Sequence, residues 1–445
     1  MPKPHVRAVA LLLPLVVLAA ACGGSSGDTS HPSTRGAKAK LDYAALGLWD
    51  DGPCDPSKPT LKVGLMTVFQ SPVISLESHA LALKAAATAF NARGGANGSC
   101  VEVHACDDGA TVDQSVRCVR EIDQAGVVAT VNDLGTAGQA EVSKAMATAG
   151  IPRIGTNVSP EDWADPNAYP LDASGTGFIF LIPQGLIEEG AKAIGVVRVD
   201  LPAASALNGL LAGIYDGKAT FPSDQPVPAG TTDYSQFILA AQDAGADSLA
   251  LALGQQEGIQ VVKAGQQLKT KLLMGASLST VSAADASALG DFADQVVFLN
   301  PYPPATSALP VYKALRADLA ASGDEALQPE NLQATAMRSW IGLYALLKMV
   351  RDAHMTDFTR AGLTAMLDQA KDVPMLGMFG GEDWTPALDH PGAFKRAGTN
   401  HWSVWRWDPD ARDADGHKGS FVEGAAISFD DVMCGSPLGA PAPCP

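Results

Sequence analysis

Seven cysteines, eight histidines and three adjacent aspartate pairs carry most of the reactive chemistry in this 445-residue chain. Asp107-Asp108 and Asp430-Asp431 have the composition for acid–base work or for holding calcium, since neighbouring carboxylates split their pKa values and bind hard cations. The same pairs serve equally as solvated caps at strand ends. The histidines are scattered, with His390 and His401 far along the chain, and the cysteine spacings lack the close pairs that zinc needs. Neither a Gly-x-x-x-x-Gly-Lys phosphate loop nor a His-Glu-x-x-His helix occurs, and the Gly-x-Ser-x-Gly match at Gly23 to Gly27 lies in a polar tract, not at the strand-to-helix turn that a nucleophile elbow needs. The expectation is a protein that is not an enzyme, with no metal and no cofactor.

The charge balance narrows the partners. Against 31 basic side chains stand 48 acidic ones, a formal net charge of −17. A nucleic-acid partner is unexpected, because phosphate neutralisation dominates that affinity. With 47 % hydrophobic and 18 % charged residues the bulk is globular, and the length suits two or three domains.

The N-terminus sets the compartment. Lys3 and Arg7 precede an apolar run from Ala8 to Ala21, broken only by Pro14 and short for a bilayer span. Residues 1–21 therefore read as a signal peptide, whose removal makes the chain two units more negative. Leu18-Ala19-Ala20-Ala21-Cys22, followed by Gly23-Gly24-Ser25-Ser26-Gly27, resembles a bacterial lipoprotein signal in which Cys22 is lipidated. Plain cleavage after Ala21, leaving a free thiol, is the other reading. Six cysteines then remain: Cys54, Cys100, Cys106, Cys118, Cys434 and Cys444. That even number suits disulfides in an oxidising exterior. Six allow fifteen pairings, and local closure suggests Cys106–Cys118, Cys434–Cys444 and then Cys54–Cys100.

The positioning elements alternate. Short β-branched runs at 61–66, 101–104, 127–131 and 151–154 are separated by helical patterns at 76–93, 112–124 and 139–148. After Pro183 the rhythm restarts. Helices at 184–193, 203–215, 234–244 and 256–268 alternate with strands at 194–199, 219–221, 248–253, 272–274 and 296–299. Residues 309–370 turn helical, and Trp402 to Trp407 form a late strand whose Trp405 and Trp407 share a packing face. The pattern predicts an α/β protein of two doubly wound parallel-sheet lobes, with a ligand cleft beyond the C-terminal strand ends. Residues 22–58 are assigned to a linker and N-terminal extension, in which the flexible tract 23–40 spans about 24 Å r.m.s.. Lobe 1 takes 59–180 plus 300–400, lobe 2 takes 181–299 plus 401–433, and 434–445 form a Pro/Gly-rich tail.

This order resembles the periplasmic solute-binding proteins of the branched-chain amino-acid type, which feed ABC transporters. Carrying the likeness are Leu61-Lys62-Val63-Gly64-Leu65, Phe90-Asn91-Ala92-Arg93-Gly94-Gly95, Ala105-Cys106-Asp107-Asp108-Gly109, Ala149-Gly150-Ile151-Pro152-Arg153-Ile154 and Ala244-Gly245-Ala246-Asp247. The resemblance implies the type I periplasmic binding protein fold. It also implies two solute-gripping loops, matching Asp133 to Ala137 and Thr156 to Ser159, with Thr136, Ala137, Asn157 and Ser159 as ligand contacts. Hydroxyls and amides at helix N-termini suit a carboxylate, and the same residues serve as plain N-caps. Ser277 stands where branched-chain binders place an acid for the ligand ammonium. An unpaired buried ammonium is costly, so a larger, less polar solute is expected: an aromatic or alicyclic carboxylate, or a lipid-derived acid. Phe69, Gln70, Gln255, Gln256, Tyr302 and Trp384 are further cleft candidates, with hinge packing open for Tyr302 and core packing for Trp384.

The expected function is an extracytoplasmic, lipid-anchored monomer on the outer face of the cell membrane. It would deliver a small apolar or carboxylate-bearing solute to an ABC permease by hinge closure. A sensory receptor of the same fold and a branched-chain amino-acid binder are the alternatives.

Overall fold

The computed structural model describes residues 41–71, 75–135, 137–156, 162–200, 204–390 and 394–437, without the side chains of 174, 176, 255, 256 and 280. The signal peptide, linker, Cys22, Cys444 and most of the tail lie outside these residues. The chain from Asp42 onward forms one unit, and it is the unit described below.

The first sheet follows from near-continuous apolar runs. β1 (Leu61–Thr67) is buried at every position except Lys62, as a central parallel strand covered on both faces must be. It is followed by α1 (Glu77–Asn91), β2 (Val101–Asp107), α2 (Val112–Gln124), β3 (Ala129–Val131), α3 (Gln139–Ala149), β4 (Arg153–Ile154) and β5 (Ala168–Tyr169). The five strands are parallel in the order β2-β1-β3-β4-β5. On one face, α1 presents alanines and Phe90 to the core; on the other, α2 and α3 bury Val119, Ile122, Val142 and Met146.

The chain then crosses to a second sheet through α4 (Ser174–Glu188). β6 (Ile194–Val199), α5 (Leu207–Ile214), β7 (Asp224–Val227), α6 (Ser235–Asp243), β8 (Ser248–Ala252), α7 (Gln255–Leu268), β9 (Leu273–Ser277), α8 (Ala283–Ser287) and β10 (Val296–Asn300) follow. A return crossing leads to α9 (Pro310–Ala320), α10 (Ala334–Asp352) and α11 (Arg360–Gln369), whose apolar faces join the first lobe's core. A third crossing brings back the hairpin of β11 (His401–Arg412) and β12 (Lys418–Ser428), closed by α12 (Phe429–Met433). The second sheet has the order β12-β11-β10-β9-β8-β6-β7, parallel from β10 to β7 and antiparallel at β11 and β12. Its two faces carry separate cores, and Trp405 and Trp407 lie together in one of them.

Three departures from the sequence expectation have a clear local cause. The helix placed at 184–193 is α4, and Pro183 lies inside it rather than before it. Burial of a helix that is apolar nearly all round outweighs the lost backbone bond, and the disturbed turn lends the Phe180 carbonyl to the Tyr215 hydroxyl at 2.6 Å. The strand expected at 219–221 shrinks to one bridge between Ala193 and Thr220, and the edge strand is β7 instead. Pro226 disguises it, being tolerated only because an edge strand pairs on one side. β12 was not foreseen at all, since its glycines and polar residues lack an apolar run.

Disulfides join Cys54 to Cys100 and Cys106 to Cys118, as local closure suggested. Cys434 is disulfide-bonded too, with its partner outside the described residues. The segment before β1 packs on lobe 1. Trp49 stacks on Phe90 and Tyr344, with ring centroids 5.3 and 6.2 Å apart, and the Arg351 guanidinium lies 4.6 Å from the Trp49 ring.

Candidate functional site

All parallel strands of a sheet point one way, so their C-terminal ends gather along one edge, where open α/β sheets bind ligands. In the first lobe that edge carries Val68 to Gln70 after β1, Asn132 to Gly135 after β3, and Gly155-Thr156 after β4. In the second it carries Asp200, Leu253-Gly254, Ser277 and Asn300. A hollow of about 710 Å³ lies between the first turn of α1, with Glu77 and Ser78, and the start of α8, with Ser282 and Asp285. Both lobes thus contribute walls to it. Asp285 is committed to a capping box with Ser282.

The sequence candidates fall in different surroundings. Thr136, Asn157 and Ser159 lie outside the described residues, as do the side chains of Gln255 and Gln256 at the start of α7. Ala137 is half-buried just before Gly138, whose φ of 69° opens α3. The Phe69 amide donates to Asp107 Oδ1 at 3.0 Å while its ring packs against the lobe 1 core. Gln70 is exposed and reaches Glu77 Oε2 at 3.4 Å. Ser277 ends β9, its hydroxyl accepting from the Ser279 amide at 3.1 Å and lying 2.5 Å from Ser279 Oγ in a hydrogen bond that either hydroxyl can donate. Tyr302 is 2 % exposed, its hydroxyl donating to Asp172 and its ring set against Phe379. In this conformation it packs the crossover and offers no face to a solute. Trp384 is likewise core, donating from Nε1 to the Pro170 carbonyl at 3.1 Å.

Beneath the lobe 1 edge lies a buried polar layer that sequence reasoning missed. Arg153 on β4 faces Asp162, Asp165 at 3.7 Å and Asp133 at 3.8 Å, and donates to Thr156 Oγ1 at 2.9 Å. Arg338 on α10 pairs with Asp172 at 3.3 Å, under Tyr302. Asn132, at φ 59°, turns the chain after β3 and donates to the Thr335 carbonyl at 3.1 Å and to Ser339 Oγ at 2.8 Å. The one available signal was a lone arginine inside the apolar run Ile151-Pro152-Arg153-Ile154: a charge there is retained only if paired.

His79 of α1 sits in the same layer. Burial, and after it the Arg338 charge, lower its pKa from 6.5 to about 3. The unfolded chain therefore binds a proton that the folded one refuses, so stability falls as pH drops below about 6.5. Going from pH 7 to pH 5 is expected to cost about 2 kcal/mol through this residue. Urea unfolding of His79→Leu should show the acid slope reduced by that amount; an unchanged slope would place the titration elsewhere.

A second hollow, of about 440 Å³, opens where α9 meets the β11–β12 hairpin. Its guanidinium is already occupied: Arg316 donates to the Ala305 and Ser307 carbonyls at 2.6 and 3.0 Å and pairs with Asp415 at 3.1 Å. Among the described residues no group of three or more His, Cys, Asp or Glu could hold a metal ion, and no helix is long and apolar enough to cross a membrane.

With the geometry in view, comparison with known proteins identifies the architecture. The sequence profile described as "Periplasmic binding protein" matches residues 60–400. No curated protein matches. A solute-binding protein of an ABC transporter from R. palustris, solved in complex with 4-hydroxybenzoate, superposes with a TM-score of 0.65 at 17 % identity, covering 83 % of this chain and 97 % of that one. A fatty acid ABC transporter substrate-binding protein from Thermomonospora curvata gives 0.66 at 17 % identity, with 86 % and 95 % covered. A possible leucine/isoleucine/valine-binding protein from Rhodopirellula baltica SH 1 gives 0.64 at 16 % identity, with 85 % and 99 % covered. At such identities the likeness establishes the two-lobed α/β fold.

Proposed function

The chain belongs to the periplasmic binding protein family, and from that premise we propose that it is an extracytoplasmic receptor delivering a small solute to an ABC permease. The observation that carries this is the pair of parallel-dominated sheets joined by three crossings, with a hollow between the first turn of α1 and the start of α8. Such a molecule works by hinge closure: solute contacts completed only in the closed state shift an open–closed equilibrium. The disulfides fit an oxidising exterior. The lipid anchor at Cys22 follows from the leader sequence and would hold the receptor, as a monomer, at the membrane surface.

Solute class follows from the residue at the end of β9. Ser277 is spent on capping its own turn, so the position offers no carboxylate to an α-ammonium. That favours an apolar or carboxylate-bearing solute over a free amino acid, and structural neighbours include proteins named for 4-hydroxybenzoate and fatty acids. The test is thermal stabilisation of the purified protein against leucine, isoleucine and valine beside 4-hydroxybenzoate, alicyclic acids and medium-chain fatty acids. A solute at 100 times its Kd should add about 2.7 kcal/mol, a clear shift in Tm. A shift with the deaminated acids alone is the expected result. Stabilisation by leucine, isoleucine or valine would restore an amino-acid receptor, a reading that the Rhodopirellula neighbour favours.

A further inference from the structure

The three crossings between the lobes meet at one junction. Gly398 of the third, at φ 79°, lies so close to the first that a Cβ there would fall 2.4 Å from the Asp172 amide nitrogen. The next amide, of Thr399, donates to the Leu171 carbonyl at 2.8 Å, and Tyr302 of the second crossing donates to Asp172. His390, 4 % exposed, grips this junction from the side of lobe 2. Its Nε2 lies 2.7 Å from the Gly398 carbonyl oxygen, and its Nδ1 lies 2.8 Å from Asp430 Oδ1 on α12. The Phe429 ring stands edge-on to the imidazole at 6.1 Å. The first turn of α12 is fastened to the same crossing, the Phe429 amide donating to the Asn400 carbonyl at 2.9 Å and the Asp430 amide to Asn400 Oδ1 at 2.8 Å.

We propose that His390 is a proton-operated tie on the hinge: charged, it holds α12 to the junction through both ring nitrogens, and neutral, it releases one of them. A backbone carbonyl and a carboxylate only accept hydrogen bonds, and a neutral imidazole has a single N–H to give. Only the imidazolium serves both partners at once. Among the described residues, the other charged groups on the elements around the ring are engaged elsewhere or face water. Arg396 donates to the Ala168 carbonyl and lies over Tyr169, Asp172 takes Arg338 and Tyr302, and Glu382 accepts from Thr399. On α4, which packs on α12, Glu188 accepts from Gln184 and Glu189 pairs with Arg406. Asp389, Lys395 and Asp431 are exposed. A proton on the ring therefore favours the conformation in which both bonds are made, as any ligand favours the state that completes its contacts. Solute affinity inherits this pH dependence, a consequence that rests on the hinge-closure reading above.

The test pairs nitrogen NMR of the histidine rings with hydrogen–deuterium exchange of the intact protein, from about pH 6 to about pH 8.5. Wild type is compared with Asp430→Asn and His390→Gln. The glutamine variant removes one ring signal and so assigns it; if that variant does not fold, the shift of the signal in Asp430→Asn assigns it instead. In wild type the ring should carry two protonated nitrogens at the acid end and the two unequal nitrogens of a neutral imidazole at the alkaline end. Over the same range, protection corrected for the intrinsic pH dependence of exchange should fall by about tenfold in peptides spanning 395–400 and 428–433, while β1 and β8 stay within about twofold. Asp430→Asn should abolish that fall, because a neutral ring can accept from the asparagine amide while donating to Gly398. The sign is opposite to that of His79, whose burial loosens the fold toward acid pH, so neither response masks the other. A wild-type ring that is neutral throughout, hinge protection that does not change with pH, or an equal fall in Asp430→Asn would overturn the proposal. Neither measurement needs a solute, so the tie is decided separately from the solute-receptor reading.

Discussion

Asp318→Ala is expected to lower the stability of lobe 1 by about 3–5 kcal/mol. Asp318 lies on α9 at 4 % exposure and serves four donors. Arg93 Nη1 and Nη2 donate to its two oxygens at 2.8 Å each, Trp340 Nε1 at 2.9 Å, and the Tyr43 hydroxyl at 3.0 Å. Alanine would leave the Arg93 guanidinium, itself 5 % exposed, buried without its anion. Arginine cannot shed the charge by deprotonating, so the full penalty falls on the folded state. The cost is one of breaking a pair, and it disappears if both charges go. Arg93→Met with Asp318→Leu should regain most of the loss, because burying a matched apolar pair is close to neutral. Urea unfolding of Arg93→Met, Asp318→Leu and the double variant closes the cycle, with Asp318→Ala measured beside them. Equal losses in the single Asp318→Ala and the double variant would show that the aspartate acts through Trp340 and Tyr43 instead.

Arg93 also shows what was legible in the sequence. The run Phe90-Asn91-Ala92-Arg93-Gly94-Gly95 marked a helix end, and the structure ends α1 at Asn91. What the run could not show is that Arg93 meets an aspartate 225 residues later. Local signals found the alternation of β1 to β4 with α1 to α3, because apolar period and glycine stops are properties of neighbouring residues. The missed pieces depend on partners far away. β12 is a strand because β11 lies beside it, and Pro183 is helical because a whole sheet covers α4. The floor of the site follows the same rule. Hydroxyl-bearing loops at strand ends could be read from the chain, whereas the layer of Arg153, Arg338, Asp133 and Asp172 beneath them exists only once the sheet assembles.

Breaking the disulfide between Cys54 and Cys100 should be the other large loss, about 4 kcal/mol, against about 3 kcal/mol for the one between Cys106 and Cys118. The order follows from the chain that each bond closes: the partners are 46 residues apart in the first case and 12 in the second, and the longer loop surrenders more freedom in the unfolded state. Native contacts add to the difference. The first bond ties the segment carrying Trp49 to the start of β2, beside a backbone bond from the Cys54 amide to the Asn91 carbonyl at 2.7 Å. The second staples α2 to the end of β2, where the β1 pairing already holds the strand in register. Cys54→Ala with Cys100→Ala, and Cys106→Ala with Cys118→Ala, should therefore rank in that order by denaturant midpoint. Both bonds tie residues packed on the first sheet, so their loss should raise amide exchange across β1 to β5 before it reaches β8 and β9 of the second sheet. Exchange rising equally in the two sheets would instead mean that the three crossings make the lobes unfold as a single cooperative unit.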